Sequence, residues 1–330
     1  MRFSRVALAA AVTAVHAERP DDVSICDYYT KALLNENTPQ NQATLLTVLV
    51  NTVVIGNYTL PNVGVQVPGI LTAGQVDGVH VDLLPYFDGR LKSTNTGSGR
   101  GESVSFLDGG GADPLRRNLP ANNKNSRQYF LLHHLYTFFG SLLRCSMQGG
   151  PGFNLYNGHA SMYQVHKYMG LNHAEVSYFI QQVGLAAASF GVARNDIDTI
   201  ANALNTIFNV RCAPPVDVIH TQGPQLQSIC VDAESCKLAP GARCEQYENL
   251  PRPDKSDSWT PGFNGTSASY GPGATGSWGS GNPAGGFSSP PPNSFIPFET
   301  TLPNPTVRGS AAGVTVNLVA AAAALAAFLL

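Results

Sequence analysis

Between Ser126 and Val210, apolar residues recur at offsets of three and four along the chain. That period can be buried only by packing helix against helix. In the stretch Asn172 to Phe190 the apolar positions are Val176, Phe179, Ile180, Val183, Ala187 and Phe190. Asn172 stands where an N-cap belongs, Glu175 is placed to complete a capping box, and Gly191 supplies the C-terminal stop. In Asn195 to Val210 the face is made by Ile197, Ile200, Ala201, Leu204, Ile207 and Phe208. The run Ser126 to Arg144 is apolar on several sides, which predicts a central helix. Asp27 to Leu34 and Gln42 to Ile55 also read as helices, the second with strand ambiguity from its valines and threonines. The fold class expected is mainly α.

From Gly56 to Asn125 the helical period fades. The tracts TGSGRG and LDGGGAD predict long loops, with short strands at Val63 to Val67 and Val79 to Leu83. Residues 56–125 are therefore expected to form a loop-rich insertion that wraps the helical core. From Trp259 to Pro305 the composition turns to Gly, Pro, Ser, Thr and Asn, which buries too little apolar surface to offset chain entropy. The expected organisation is a signal peptide at 1–17, a folded domain at 18–247, a disordered stalk at 248–309 and a terminal attachment segment at 310–330.

Both chain ends point outside the cell. Arg2 and Arg5 precede an apolar run from Val6 to Val15, and Val15-His16-Ala17 offers a small-residue cleavage site. The tail Leu318 to Leu330 is apolar and uncharged but shorter than the ~20 residues that span a bilayer. With Gly309, Ser310 and Ala311 upstream, it reads as a GPI-attachment signal with Gly309 as the acceptor; the alternative is a tail anchor extended back to Val314. The expected location is the outer face of the plasma membrane or the cell wall. Asn57 and Asn264 head glycosylation sequons. A net charge of -2 with 13% charged residues gives no basic field for nucleic acid. Six cysteines, Cys26, Cys145, Cys212, Cys230, Cys236 and Cys244, are expected to form disulfides in an oxidising compartment. Four of them crowd between Cys212 and Cys244, so at least one bridge should close there, but sequence does not choose the pairing. None makes a C-x-x-C pair, which weighs against zinc or dithiol chemistry.

The segment Tyr156 to Val192 carries the only pattern that suggests a cofactor. His166 lies in a short amphipathic stretch followed at once by the capped helix. A histidine held between helices is what an iron porphyrin uses as an axial ligand. The ordered set Tyr156, Gly158, Met162, His166, Met169-Gly170-Leu171-Asn172, Phe179, Val183 and Gly191-Val192, followed by Asp196-Ile197, resembles the C-terminal half of the truncated hemoglobins. The likeness extends from Ser126 to Cys212, with Ser126 to Arg144 resembling the family's distal helix. It implies a globin-like core that binds haem b, with His166 as the proximal iron ligand. It further implies that Met162, Met169, Phe179 and Tyr156 contact the porphyrin, and that His133 faces the distal side. A diatomic gas, a peroxide or haem itself would be the partner. The pattern departs from the family at His159, which stands where an arginine commonly pairs with a haem propionate, and in the spacing from Gly158 to His166.

Other readings of these residues are simpler. A lone histidine in a short helix is more often a partly exposed surface residue than a ligand. His133 and His134 point about 100° apart on a helix, so at most one can face a given site, and His134 suits a core hydrogen bond. Tyr129 and Tyr136 are positioned to cap a bound ligand, but aromatic residues at helical spacing are usually core. His173, beside an N-cap, is expected at the surface. The chain has no G-x-S-x-G elbow, H-E-x-x-H helix or phosphate-binding glycine loop. Two functions are therefore carried forward: a haem-binding globin-like surface protein, and a haem-free, globin-derived module with a structural or adhesive role in the cell wall.

Overall fold

A computed structural model of the chain describes residues 19–59, 62–97, 99–250, 253 and 255. The signal segment, Asn264, the Trp259–Pro305 stretch, Gly309 and the 310–330 tail lie outside the described residues. The rest is mainly helical: α1 (Ile25–Leu34), α2 (Pro39–Ile55), α3 (Pro85–Asp88), α4 (Ala112–Leu115), α5 (Arg127–Leu142), α6 (Met162–His166), α7 (His173–Ser189) and α8 (Arg194–Ile207). Two small antiparallel hairpins, β1 (Gly74–Val76) with β2 (Val79–Val81) and β3 (Thr94–Asn95) with β4 (Gly101–Glu102), complete it. No helix among the described residues is long and apolar enough to cross a membrane.

The ambiguous segment at Gln42 is a helix because of how it starts and how its threonines are satisfied. Thr38 caps it through Asn41 N, and Pro39 occupies its first turn, where a missing N–H costs nothing. Inside it, the hydroxyls of Thr44, Thr47 and Thr52 donate to the carbonyls four residues back, at 2.8 Å each. Leu46, Val50 and Val53 then face the core. The expectation for Val63 to Val67 is corrected: Val63 and Gly64 form a turn, and Val63 takes a positive φ of 33°. A strand there would have no partner in the loop around it.

α7 is the axis of the domain. It packs against α2, α8 and the β1–β2 hairpin, while α2 also meets α5 and α1. The capping box is present in full, with Asn172 accepting from Glu175 N and Glu175 accepting from Asn172 N. Gly191 turns out of the helix at φ +79°. Within residues 56–125, β1 and β2 lie on α7, β3 on α6 and α4 on α2. The same segment also finishes α5: Asp108 accepts from Arg127 N and Gln128 N, placing a carboxylate on two orphan donors at the positive helix end.

Three disulfides fix the connectivity. Cys26–Cys145 ties α1 to the end of α5, while Cys212–Cys244 and Cys230–Cys236 both close within the C-terminal cysteine cluster. The residues 209–248 are consequently irregular yet ordered, carrying only two single-turn 3-10 segments.

Candidate functional site

α6 is one turn of helix, begun by Ser161, whose hydroxyl accepts from Gln164 N. Its successive side chains divide between two environments. Met162 and His166 lie on one side, followed at the next turn by Met169. Tyr163 and Lys167, followed by Gly170, lie about 100° further round.

On the first side, His166 Nδ1 is 2.8 Å from the Met162 carbonyl oxygen. A carbonyl can only accept, so Nδ1 carries the proton and Nε2 keeps its lone pair. Burial lowers the His166 pKa below its ordinary value, against a smaller opposing effect of that hydrogen bond. As a residue His166 is half-buried. A neutral imidazole with its Nδ1 proton tied to a backbone carbonyl is the form in which histidine binds a metal.

The other residues expected around a porphyrin pack against neighbouring core side chains. Tyr156 is buried, donates to the His159 carbonyl at 2.9 Å, and sits edge-on to Phe138 at 5.5 Å and to His134 at 5.7 Å. Phe179 meets Phe139 of α5 at 6.5 Å between ring centroids. Met162 is buried in the same cluster, and Met169 packs at its edge with its carbonyl accepting from the Tyr86 hydroxyl at 3.3 Å. His133 stacks on Tyr129 at 4.2 Å and lies 6.1 Å from Tyr136, whose hydroxyl donates to buried Asn51. His134 instead pairs with Asn157, so the two histidines do diverge as helical neighbours must. Both have lowered pKa values, chiefly from burial. For haem, then, the donor atom fits and the space does not: α5 sits directly on the side chains that would have to part. No chemistry is routed through haem here. His173 is half-buried, with Nε2 3.4 Å from Ser177 and Nδ1 without a hydrogen-bond partner.

No group of histidine, cysteine or acidic side chains that could hold a metal ion occurs among the described residues. Comparison with protein-family models, curated proteins and solved structures finds no match to this chain. The resemblance to truncated hemoglobins therefore rests on this chain's own residues.

The roomy cavity lies on the second side of α6. Among the described residues it is a groove of about 700 Å³ between the α6–α7 corner, the loop closed by Cys230–Cys236, and the strap formed by Tyr247–Leu250, Pro253 and Lys255. Lys167, only 7% exposed, is ion-paired with Glu248 of the strap. Glu175, which caps α7, also accepts from the Tyr86 hydroxyl at 2.9 Å and from Lys255 Nζ at 2.8 Å. That carboxylate, buried between a helix end and a lysine, pushes the Tyr86 pKa upward, although burial of the phenol is the larger cause. Gly170 has φ +60°, and a Cβ there would run into the Pro253 ring, so glycine seats the strap. Apart from the capping-box role of Glu175, no local pattern points to this groove. Its walls come from segments far apart in the chain, brought together by backbone bonds from Val231 and Asp232 to the Leu171 carbonyl, by the Lys167–Glu248 pair and by the cysteine pairing.

Proposed function

We propose that this chain is a haem-free helical module of the cell exterior, stapled by disulfides, with a structural or adhesive role at the cell wall or membrane. The observation that carries this reading is the contact of Tyr156 and Phe179 with Phe138 and Phe139 of α5. A flat cofactor would have to part those rings. The secretion signal, the stalk and the GPI signal read in the sequence support an exposed, anchored position, which suits contact more than gas carriage. A globin-like ancestry would account for the order of helices from Ser126 to Cys212 without requiring the cofactor.

A second reading keeps haem b at His166, with a diatomic gas, a peroxide or haem as its partner. It is favoured by one observation, the Nδ1 bond to the Met162 carbonyl that leaves Nε2 unprotonated. An absorption spectrum of the full chain, secreted with added haem, separates the two. A colourless protein is expected; a Soret band that disappears in His166→Ala supports the second reading and overturns the first.

A further inference from the structure

We propose that Asn57 carries an N-linked oligosaccharide, and that its side-chain amide divides two tasks: Oδ1 holds Val67 in the fold while Nδ2 bears the sugar. The inference rests on the exterior location proposed above, since this modification is made on chains that enter the secretory pathway.

Asn57 stands just after the C-cap of α2 and heads the triplet Asn57-Tyr58-Thr59. Its backbone N donates to the Val67 carbonyl at 3.1 Å, and its Oδ1 accepts from Val67 N at 2.6 Å. One residue thus satisfies both backbone polar groups of another. The chain on either side is fixed. Gly56 N donates to the Thr52 carbonyl at 2.9 Å, and the Tyr58 hydroxyl donates to Asn118 Oδ1 at 2.7 Å. Gly56 is buried and Tyr58 half-buried, yet Asn57 between them is exposed. The atom that would take the sugar is unspent, because among the described residues no group accepts from Asn57 Nδ2. By contrast, Asn51 gives its Nδ2 to the Leu115 carbonyl and Asn95 gives its own to the Gln164 carbonyl.

The chemistry of the transfer leaves the structural half of the amide untouched. The bond from the sugar C1 to the diphosphate oxygen of a lipid-linked donor breaks, C1 bonds to Nδ2, and Nδ2 gives up one proton as the lipid diphosphate leaves. The product is a secondary amide, planar and uncharged. Its oxygen still accepts, as a peptide carbonyl does beside its own substituted nitrogen. The bond from Val67 N to Oδ1 therefore survives, and a chain modified before it folds can still pair Asn57 with Val67. A hydrated, branched oligosaccharide here also keeps partners off the C-terminal end of α2, so the contact face of the module lies elsewhere.

The test is expression of the full chain with Asn264→Gln, which leaves one sequon, in a eukaryotic secretory host. It is run once with the chain's own residues 1–17 and once with an established secretion signal in their place. Glycosidase release in heavy-oxygen water, followed by peptide mass spectrometry of the secreted and cell-associated chain, reads the site. Most molecules are expected to lose one glycan and to show labelled aspartate at position 57. Thr59→Ala should abolish the glycan and Thr59→Ser should retain it. Trimming the folded protein with an endoglycosidase, which leaves one sugar on Nδ2, should move the melting temperature by less than about 2 °C. Relative to that trimmed chain, Asn57→Ala should lower it by about 2–4 °C, the loss of one hydrogen bond in a domain of this size. Secretion by the chain's own signal with Asn57 bare overturns the Asn57 assignment alone, and so does a glycan that persists in Thr59→Ala. An unchanged melting temperature in Asn57→Ala overturns the division of tasks. Glycosylation under the established signal but not under the chain's own overturns the exterior location instead.

Discussion

His166 and Lys167 are adjacent in sequence and stand in opposite kinds of surroundings. On the His166 side of α6 the imidazole proton is tied to the Met162 carbonyl, and Tyr156 and Phe179, the side chains expected to flank a porphyrin, pack on Phe138 and Phe139 of α5. Around Lys167 the protein opens: a charged amine, almost fully buried, is met by Glu248 at the edge of a polar groove. The difference follows from what each side is made of. Apolar side chains from contiguous helices collapse on one another and leave no void, since a void forfeits contacts on every wall. Ionised groups held by disulfide-closed loops cannot collapse in that way without losing water they need. One helical turn thus separates a packed core from a polar groove.

The closed side should be the more costly to disturb. Phe139 is 4% exposed and touches both Phe138 and Phe179, so Phe139→Ala should cost about 3 kcal/mol in denaturant unfolding. A loss under about 1 kcal/mol would mean that the α5–α7 contact is loose enough to open, and would revive the slot.

On the open side the effect should be smaller and local. Lys255→Ala leaves Glu175, whose side chain is 10% exposed, with Tyr86 and its capping bonds but without its cation. Because Lys255 is itself 26% exposed, the pair is partly screened, and a loss of about 1 kcal/mol is expected. Hydrogen exchange should quicken at the first amides of α7 and leave α2 unchanged. Equal quickening throughout would show that the strap supports the whole fold rather than the groove alone.

The smallest effect is also the most specific to His166. Its folded pKa lies below the ordinary 6.5, chiefly through burial, so the unfolded chain binds the proton first as the pH falls. The neutral ring is harmless above pH 6.5, and stability declines as the pH drops below that value towards the depressed one. His133 and His134 are shifted in the same direction and contribute likewise. His166→Gln should therefore reduce, without abolishing, the acid slope of the melting temperature between pH 7 and 5. An unchanged slope would place the ring in water.

Legibility in the sequence tracks the range of the forces involved. α7 was readable end to end because Asn172, Glu175 and Gly191 are local signals acting within one turn. α5 and α8 followed from period alone. α2 was ambiguous because its β-branched residues suit strands, and what decides it is Thr38–Pro39 at its start and the back-bonded threonines within it. Val63 to Val67 looked like a strand by composition, but a strand is defined by a partner and none is there. Lys167, Arg211, Glu248 and Lys255 gave no signal, since a charged residue that will be buried by a distant loop is indistinguishable in sequence from one that stays in water. The pairing Cys212–Cys244 and Cys230–Cys236, which sequence could not choose, joins the Arg211 and Glu248 segments, while Lys167 and Lys255 are held by Glu248 and Glu175.

The central claim is that the His166 side of α6 is closed against a porphyrin. Its most direct test is titration of the purified full chain with hemin, followed by absorption spectroscopy and repeated on His166→Ala. The account predicts the spectrum of free hemin in both cases. A Soret band that saturates at one equivalent in the parent chain and is absent from His166→Ala would contradict it.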